Sequence, residues 1–158
     1  MRVAYTSLLV VFFMTVLSGC SATLLKGEKF KQANPPSAEH ALVYIYRPNS
    51  TPYLLSPDVF LDGKKIMELG NQGYSYRYLK PGEHDIKVAW SFMSGRQDLA
   101  GKVKVEAGKT YFIRSHGHVF YTGAYYSSSG YLTTVPAEHA LKEINHCIYI
   151  KPGNVKKD

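Results

Sequence analysis

The chain has 158 residues, of which 45% are hydrophobic and 20% are charged, as expected for one ordinary globular domain with a short appendage. Its 19 Lys and Arg residues outnumber its 12 Asp and Glu residues, and the formal net charge is +7. A chain of this size needs no second domain. The excess of positive charge suits contact with anionic material, although a surface that contacts only solvent can carry the same excess.

The N-terminal residues 1–19 have the layout of a secretory signal peptide. One cationic residue, Arg2, precedes an apolar run over residues 8–17, and small residues follow the run. Roughly 10 apolar residues are too few to span a bilayer as a helix, which needs about 20. We therefore expect the segment to be cleaved rather than to stay inserted in the membrane.

The apolar run ends in Leu17-Ser18-Gly19-Cys20, which resembles the lipobox of bacterial lipoproteins. The resemblance implies that the Cys20 thiol takes a diacylglycerol, that the signal is cut just before it, and that the freed amine is acylated. Because residue 21 is Ser rather than Asp, the resemblance also implies transfer to the outer membrane. A plain signal peptide with an incidental cysteine is the alternative interpretation.

A location in the cell envelope limits the candidate partners of this chain. It excludes nucleic acid and leaves the membrane, bound through the anchor, and an envelope protein or a glycan as candidates. No cofactor is predicted beyond the covalent diacylglycerol and N-acyl lipid on Cys20, and the oligomeric state and the side of the outer membrane stay open. Cys147 cannot form a disulfide with a lipidated Cys20. We interpret it as a small, buried hydrophobic residue rather than as a thiol for redox chemistry or for a bond to another molecule.

Residues 20–40 lack sustained periodicity and end in the breakers Asn-Pro-Pro-Ser at 34–37, which predicts a flexible tether. The next segment, 41–48, is apolar on both faces and predicts an inner strand. Asp62-Gly63 is typical of a two-residue hairpin turn, which would set Val59 opposite Ile66.

Short strand-like segments with turn residues between them continue to residue 150. Six or seven such strands, at a spacing of about 8–12 residues, predict an all-β fold, an antiparallel β-sandwich or barrel. Tyr74, Tyr76 and Tyr78 share one face of a strand, either as a cross-strand ladder or as a stacking platform for sugars. The domains predicted are the signal peptide 1–19, the lipidated cysteine and tether 20–40, the β-sandwich 41–150 and a basic tail 151–158.

One short C-terminal helix is predicted over residues 136–145. The segment starts with Pro136, has an acidic residue in its first turn, and spaces Ala140, Leu141 and Ile144 on one face. We expect this helix to lie across an open edge or end of the sheet.

Four motifs along the chain resemble a family of small bacterial lipoprotein domains of unknown function. They are a YxYRP opening strand at 43–48, a DG hairpin at 59–63, a PGxH turn at 79–84 and an AGxxY turn at 105–111. The last three also resemble short β-sandwich repeats with a PEGA-like signature. The resemblance implies an immunoglobulin-like or PEGA-like sandwich on a lipid anchor, and it brings no catalytic residues with it.

The segment 115–134, SHGHVFYTGAYYSSSGYLTT, has the most unusual composition of the chain. Its mixture of Tyr, Ser and Gly is typical of recognition loops, where Tyr gives rigid contact area and Ser and Gly adapt. The candidate binding residues for a glycan, a peptide or an envelope protein are Tyr121, Tyr125, Tyr126 and Tyr131. The alternative is a long hairpin whose tyrosines cover the sheet and whose tip is residues 127–130.

Histidines suggest an alternative function, a metal-binding periplasmic lipoprotein. His116 and His118 stand two residues apart, so that a strand would place both imidazoles on one face, and His146 is a further candidate ligand. Hydrogen-bonded surface histidines are the competing interpretation. An envelope hydrolase is a third hypothesis, but the sequence has no GxSxG elbow, and we predict no catalytic residues and no enzyme activity.

Overall fold

The computed structural model describes residues 27–122 and 125–153 of the chain, so Cys20 and the predicted signal peptide lie outside the described residues. Within these ranges the chain forms nine β-strands and one α-helix. The strands are β1 Ala41–Arg47, β2 Asp58–Leu61, β3 Lys64–Glu68, β4 Gly73–Leu79, β5 Gly82–Ala89, β6 Leu99–Val105, β7 Thr110–Thr122, β8 Tyr125–Val135 and β9 Ile148–Tyr149. The helix, α1, is Ala137–Ile144, and a short 3-10 turn covers Phe92–Ser94.

The strands form two sheets that pack face to face, which confirms the predicted β-sandwich. One is an antiparallel sheet of four strands in the order β3-β2-β5-β6. The other, which we call the mixed sheet, has five strands in the order β8-β7-β1-β4-β9. It is not wholly antiparallel, because β1 pairs with β7, and β4 with β9, in the parallel direction.

Strand β1 is buried on both faces, as its unbroken apolar sequence predicts. Val43 and Ile45 belong to the core between the two sheets. Tyr44 and Tyr46 belong to a second core on the outer face of the mixed sheet. Burial of one such large apolar side chain contributes about 1.5–3 kcal/mol, so β1 stabilises both layers of packing at once.

Helix α1 covers the outer face of the mixed sheet rather than an edge or end of it. Its residues Ala140 and Ile144 are fully buried and join the second core with Cys147. The predicted apolar face of the helix is therefore confirmed, but its position is not. On this face the apolar stripe of the helix joins a cluster that contains Tyr44, Tyr46 and Phe112.

Residues 27–40 also pack on this outer face, in contrast to the flexible tether expected there. Phe30 contacts the ring of Tyr74 at a centroid distance of 5.1 Å, and the Lys31 N–H donates to the Tyr74 hydroxyl at 3.1 Å. The Ala33 N–H donates to the Tyr44 hydroxyl at 2.8 Å. Tyrosine hydroxyls thus bind the backbone of a segment that has no strand pattern of its own.

The predicted DG hairpin is present, but its register differs from the prediction. Asp62 and Gly63 form the turn with positive φ values of 49° and 75°, as a two-residue loop requires. Val59 pairs with Met67 rather than with Ile66, because the register shifts between Val59 and Phe60. This irregularity lets Ile66 and Met67, adjacent in sequence, both be buried.

The connections divide between the two ends of the sandwich. We call one end the turn end, because tight turns close it at residues 62–63, 80–81 and 106–109. We call the other the loop end, because the longer loops 48–57, 69–72 and 90–98 meet there. The antiparallel register places Arg47, the last residue of β1, beside Gly73 at this loop end.

Candidate functional site

A long β-hairpin formed by β7 and β8 extends beyond the loop end. β1 runs beside β7 only as far as the pair Tyr46 and Arg114, whereas β7 continues to Thr122. The strands stay paired up to Thr122 and Tyr125, so residues 127–130 are not the hairpin tip that the sequence predicted. Ser129, from the predicted tip, lies within β8 and pairs with His118.

Of the four candidate binding tyrosines, the structure describes the side chain of Tyr131. Tyr131 is 53% exposed on β8, and its ring lies 6.3 Å from the imidazole of His118 in an edge-to-face arrangement. The backbones of Tyr121 and Tyr126 pair with each other, and the backbone of Tyr125 pairs with that of Thr122. The side chains of these three tyrosines lie outside the described part of the chain.

His116 and His118 lie on one face of β7, as their spacing predicts. Their Nε2 atoms are 2.9 Å apart, so that one ring donates a hydrogen bond to the other. Burial, and then the charges of His118 and Arg114, lower the pKa of His116. The pair is therefore adapted to the neutral form of at least one imidazole.

A polar cleft of about 370 Å³ adjoins this pair at the loop end of the outer face. Arg114 and Glu143 form an ion pair across it at 2.6 Å, and Glu143 also accepts a hydrogen bond from the Tyr46 hydroxyl at 2.5 Å. His116 and His146 line the same cleft. The remaining lining residues are Pro48, Asn49, Gln72 and Cys147.

Sequence reasoning did not find the ion pair in this cleft. Arg114 ends an apolar run in β7, and Glu143 lies in the last turn of α1, with 28 residues between them. No local spacing signals their contact, because it depends on how the helix folds back over the mixed sheet. The cleft is thus a product of tertiary structure.

Cys147 is 1% exposed, and its Sγ lies 3.8 Å from the backbone oxygen of Arg47. Burial, followed by the charge of Glu143, raises the pKa of this thiol to about 12. Burial therefore favours the protonated thiol at neutral pH, whereas nucleophilic attack requires the thiolate. This agrees with its interpretation as a buried small hydrophobe.

Within residues 27–122 and 125–153, no three His, Cys, Asp or Glu side chains converge as a metal site would require. His116 and His146 share the cleft and His116 contacts His118, but the three histidines do not form one cluster. In the same ranges, no helix is long and apolar enough to cross a membrane.

A second cluster that sequence reasoning missed lies under the loop end. Arg47 is 1% exposed, and its guanidinium donates to the backbone oxygens of Leu55 at 2.6 Å and Ser50 at 3.1 Å. The guanidinium groups of Arg47 and Arg96 each lie 5.0 Å from the ring of Trp90. Burial, and then the charge of Arg96, lower the pKa of Arg47 to about 10, so it remains a cation at neutral pH.

The sequence motifs have structural roles at the two ends. Asp62 of the DG turn contacts His84 of the PGxH turn, with Oδ2 and Nδ1 2.8 Å apart, and this contact lowers the pKa of Asp62. Tyr111 of the AGxxY turn accepts a hydrogen bond from the Glu106 N–H at 3.1 Å. Arg47 of the YxYRP strand holds the loop 48–57. These motif residues therefore hold turns and loops of the fold in place.

Fold and site together define a small β-sandwich domain with one covering helix, a polar cleft and a protruding hairpin. The chain belongs to the family described as "Protein of unknown function (DUF2846)", which matches residues 37–124. It is also similar to an "Uncharacterized protein" of Haemophilus influenzae, at 33% identity over 105 residues. That match covers 64% of this chain, and the chain spans about 60% of the relative's length.

Proposed function

We propose that this chain is a lipid-anchored lipoprotein of the cell envelope, with a noncatalytic β-sandwich that binds an envelope protein or a glycan. The observation that carries the anchor is the sequence LSGC at 17–20, placed where the apolar run ends. Lipid attached at Cys20 would hold the domain at the outer membrane. Membership of a family of unknown function is compatible with this proposal and assigns no activity.

The flank of the β7–β8 hairpin is the binding surface we propose. Tyr131 is exposed there beside His118, and the segment 127–130 brings serine and glycine to the same strand. Aromatic rings beside small polar residues suit both glycan stacking and adaptable contacts with a protein. Residues of the sequence motifs hold turns and loops of the fold in place. This supports the hairpin, rather than the motifs, as the recognition surface.

Site-specific photocrosslinking tests this surface in the full-length chain. A photoreactive phenylalanine analogue at Tyr131 should give a discrete light-dependent adduct in intact cells, because the native ring is half-exposed there. Tyr78 is the matched control, since it is 42% exposed but lies on another strand, β4. The same adducts from both positions, or none from Tyr131, would contradict the binding surface.

Metal binding by His116 and His118 is a second candidate function. One observation favours it: the two Nε2 atoms lie 2.9 Å apart on one face of β7. Neutral imidazole nitrogen is a common ligand of Zn²⁺ and Cu²⁺, but two ligands alone leave the coordination of either ion incomplete.

Titration of the purified protein with Zn²⁺ and Cu²⁺ separates the two candidates. We expect no stoichiometric binding tighter than about micromolar, since structural zinc sites almost always have four protein ligands. Micromolar or tighter binding that is lost in His116→Ala, but retained in His139→Ala on the exposed side of α1, would establish the metal function instead.

A further inference from the structure

In the described ranges the sandwich has four edge strands, and three of them have features that hinder pairing with another chain. The edges are β3 and β6 in the antiparallel sheet, and β8 and β9 in the mixed sheet. β3 has Lys64 and Lys65 and lies beside a register shift, and β6 has Lys102 and Lys104. β9 has two residues, and Lys29 forms a bridge with it. Lysines, irregular pairing, short length and covering segments all keep sheets from joining edge to edge.

The fourth edge strand, β8, has none of these features. It is 11 residues long, Tyr125–Val135, and contains no charged residue and no proline. Its register with β7 runs from Thr122 to Phe112 without a shift, so no bulge interrupts it. In the part of the chain that the structure describes, no further strand pairs with β8. Alternate residues of β8 therefore point their N–H and C=O groups away from β7, along an unprotected edge.

The edge of β8 is accessible. Thr133 and Thr134 are adjacent, so their side chains point to opposite faces of the sheet, and both are exposed. Residues 125–132 pair with the part of β7 that extends beyond β1. On the inner face Gly130 lies against Leu99 of β6, a strand of the other sheet, which supports β8 without pairing to it. The side of β8 opposite to β7 is therefore open to a partner strand.

We propose that β8 pairs in the antiparallel direction with β8 of a second copy of this chain, which joins two mixed sheets into one continuous sheet. Antiparallel pairing about a two-fold axis is self-complementary, because each strand offers the other the same donors and acceptors. It also sets Tyr, Ser and Thr side chains beside side chains of the same kinds, and such cross-strand pairs stabilise a sheet.

Charge favours a second copy at this edge over the other edges. The chain has a formal net charge of +7, so two copies repel each other on average. Self-pairing of β3 or β6 would bring lysines close to lysines, whereas β8 has no charge to oppose its own copy. Pairing along the projecting residues 125–132 would also place the two sandwiches at opposite ends of the joined strands, which keeps their basic surfaces apart.

The dimer leaves the proposed recognition surface free. Strand pairing uses the backbone groups at the edge of β8, whereas the ring of Tyr131 projects from a face of the strand beside His118. A dimer would therefore present two copies of Tyr131 on one face of one continuous sheet. Because the contact is made by the backbone edge, the dimer forms whether or not Tyr131 binds a ligand and whether or not Cys20 is lipidated.

A cysteine scan of the full-length protein, purified in detergent, tests the pairing. Each residue from 126 to 132 is replaced in turn by cysteine, with Lys104→Cys on the β6 edge as the matched control. In an antiparallel pair with two-fold symmetry, one residue lies opposite its own copy at a Cα distance of about 4.5–5.5 Å, which a disulfide spans. Mild oxidation should link one β8 position into a dimer in high yield, and Lys104→Cys should give little. The native chain, whose Cys147 is 1% exposed, gives the background.

A charge exchange at the position that crosslinks best tests the same contact without a disulfide. Lysine at this position should make the protein a monomer in sedimentation experiments, at concentrations where the native protein is a dimer, because two like charges then face each other. Aspartate should do the same. A mixture of the two variants should recover the dimer, and this recovery also shows that both variants are folded.

Three results would overturn the inference. The first is a native protein that sediments as a monomer and gives no disulfide from β8, or gives equal yields from β8 and from Lys104→Cys. The second is a dimer that persists in both charge variants, which would place the contact elsewhere. The third is a β8 cysteine that in intact cells links to a different envelope protein and not to a second copy of this chain.

Discussion

Replacing Arg47 with alanine should lower the free energy of unfolding by about 3 kcal/mol or more, because each buried carbonyl that loses its partner costs about 1–3 kcal/mol. The Arg47 guanidinium donates to the oxygens of Leu55, Ser50, Leu69 and Pro52. Relief of the burial cost of its charge offsets part of this loss. Urea unfolding followed by the fluorescence of Trp90, the one tryptophan of the chain, measures the change.

Two further variants show whether the geometry of the guanidinium is what matters. Arg47→Lys keeps the charge but not the planar fork, so it should lose nearly as much stability as Arg47→Ala. Arg77→Ala, a half-buried arginine of the neighbouring strand β4, is the control and should cost less than about 1 kcal/mol. An Arg47→Ala protein as stable as the control would refute the role of Arg47 in holding the loop.

Strand-level features of this fold were predictable because they depend on local chemistry. The apolar run of β1 has no polar face, and the structure buries both of its faces. Asp62-Gly63 accepts the positive φ values of a tight turn, and it forms one. Helix α1 begins and ends within one residue of the prediction, because Pro136 and the apolar spacing mark it locally.

Features that depend on contacts distant in sequence were not predictable. Residues 27–40 have no strand or helix pattern, yet Tyr44 and Tyr74 bind their backbone. The parallel pairing of β1 with β7 joins segments that are more than 60 residues apart, and no local sequence pattern predicts such a pairing. The register shift in β2 follows from burying both Ile66 and Met67, which strict alternation does not anticipate.

In the candidate site, too, some features follow from local sequence and others depend on contacts distant in sequence. The spacing of His116 and His118 predicted a shared face, and their rings touch. The cleft beside them needed Arg114 from β7 and Glu143 from α1, and neither residue carries a local signal of the other.

Replacing Cys20 with serine should transfer the protein from the membrane fraction to the soluble envelope fraction. The reason is the chemistry of the proposed anchor: each buried methylene contributes about 0.8 kcal/mol, and two or more acyl chains hold a protein stably where one holds it marginally. A serine hydroxyl at position 20 takes no thioether-linked diacylglycerol. Exposed apolar side chains at the loop end are too few to replace whole acyl chains, so the loss from the membrane should be nearly complete.

Cys147→Ser is the matched control for this experiment, because it changes the other cysteine of the chain and leaves the proposed anchor intact. It should fractionate with the membrane as the native protein does, although the polar hydroxyl at a buried position lowers stability. Metabolic labelling with a radioactive fatty acid should mark the native chain and Cys147→Ser but not Cys20→Ser. A Cys20→Ser protein that remains in the membrane fraction would show that something other than lipid at Cys20 holds the domain there.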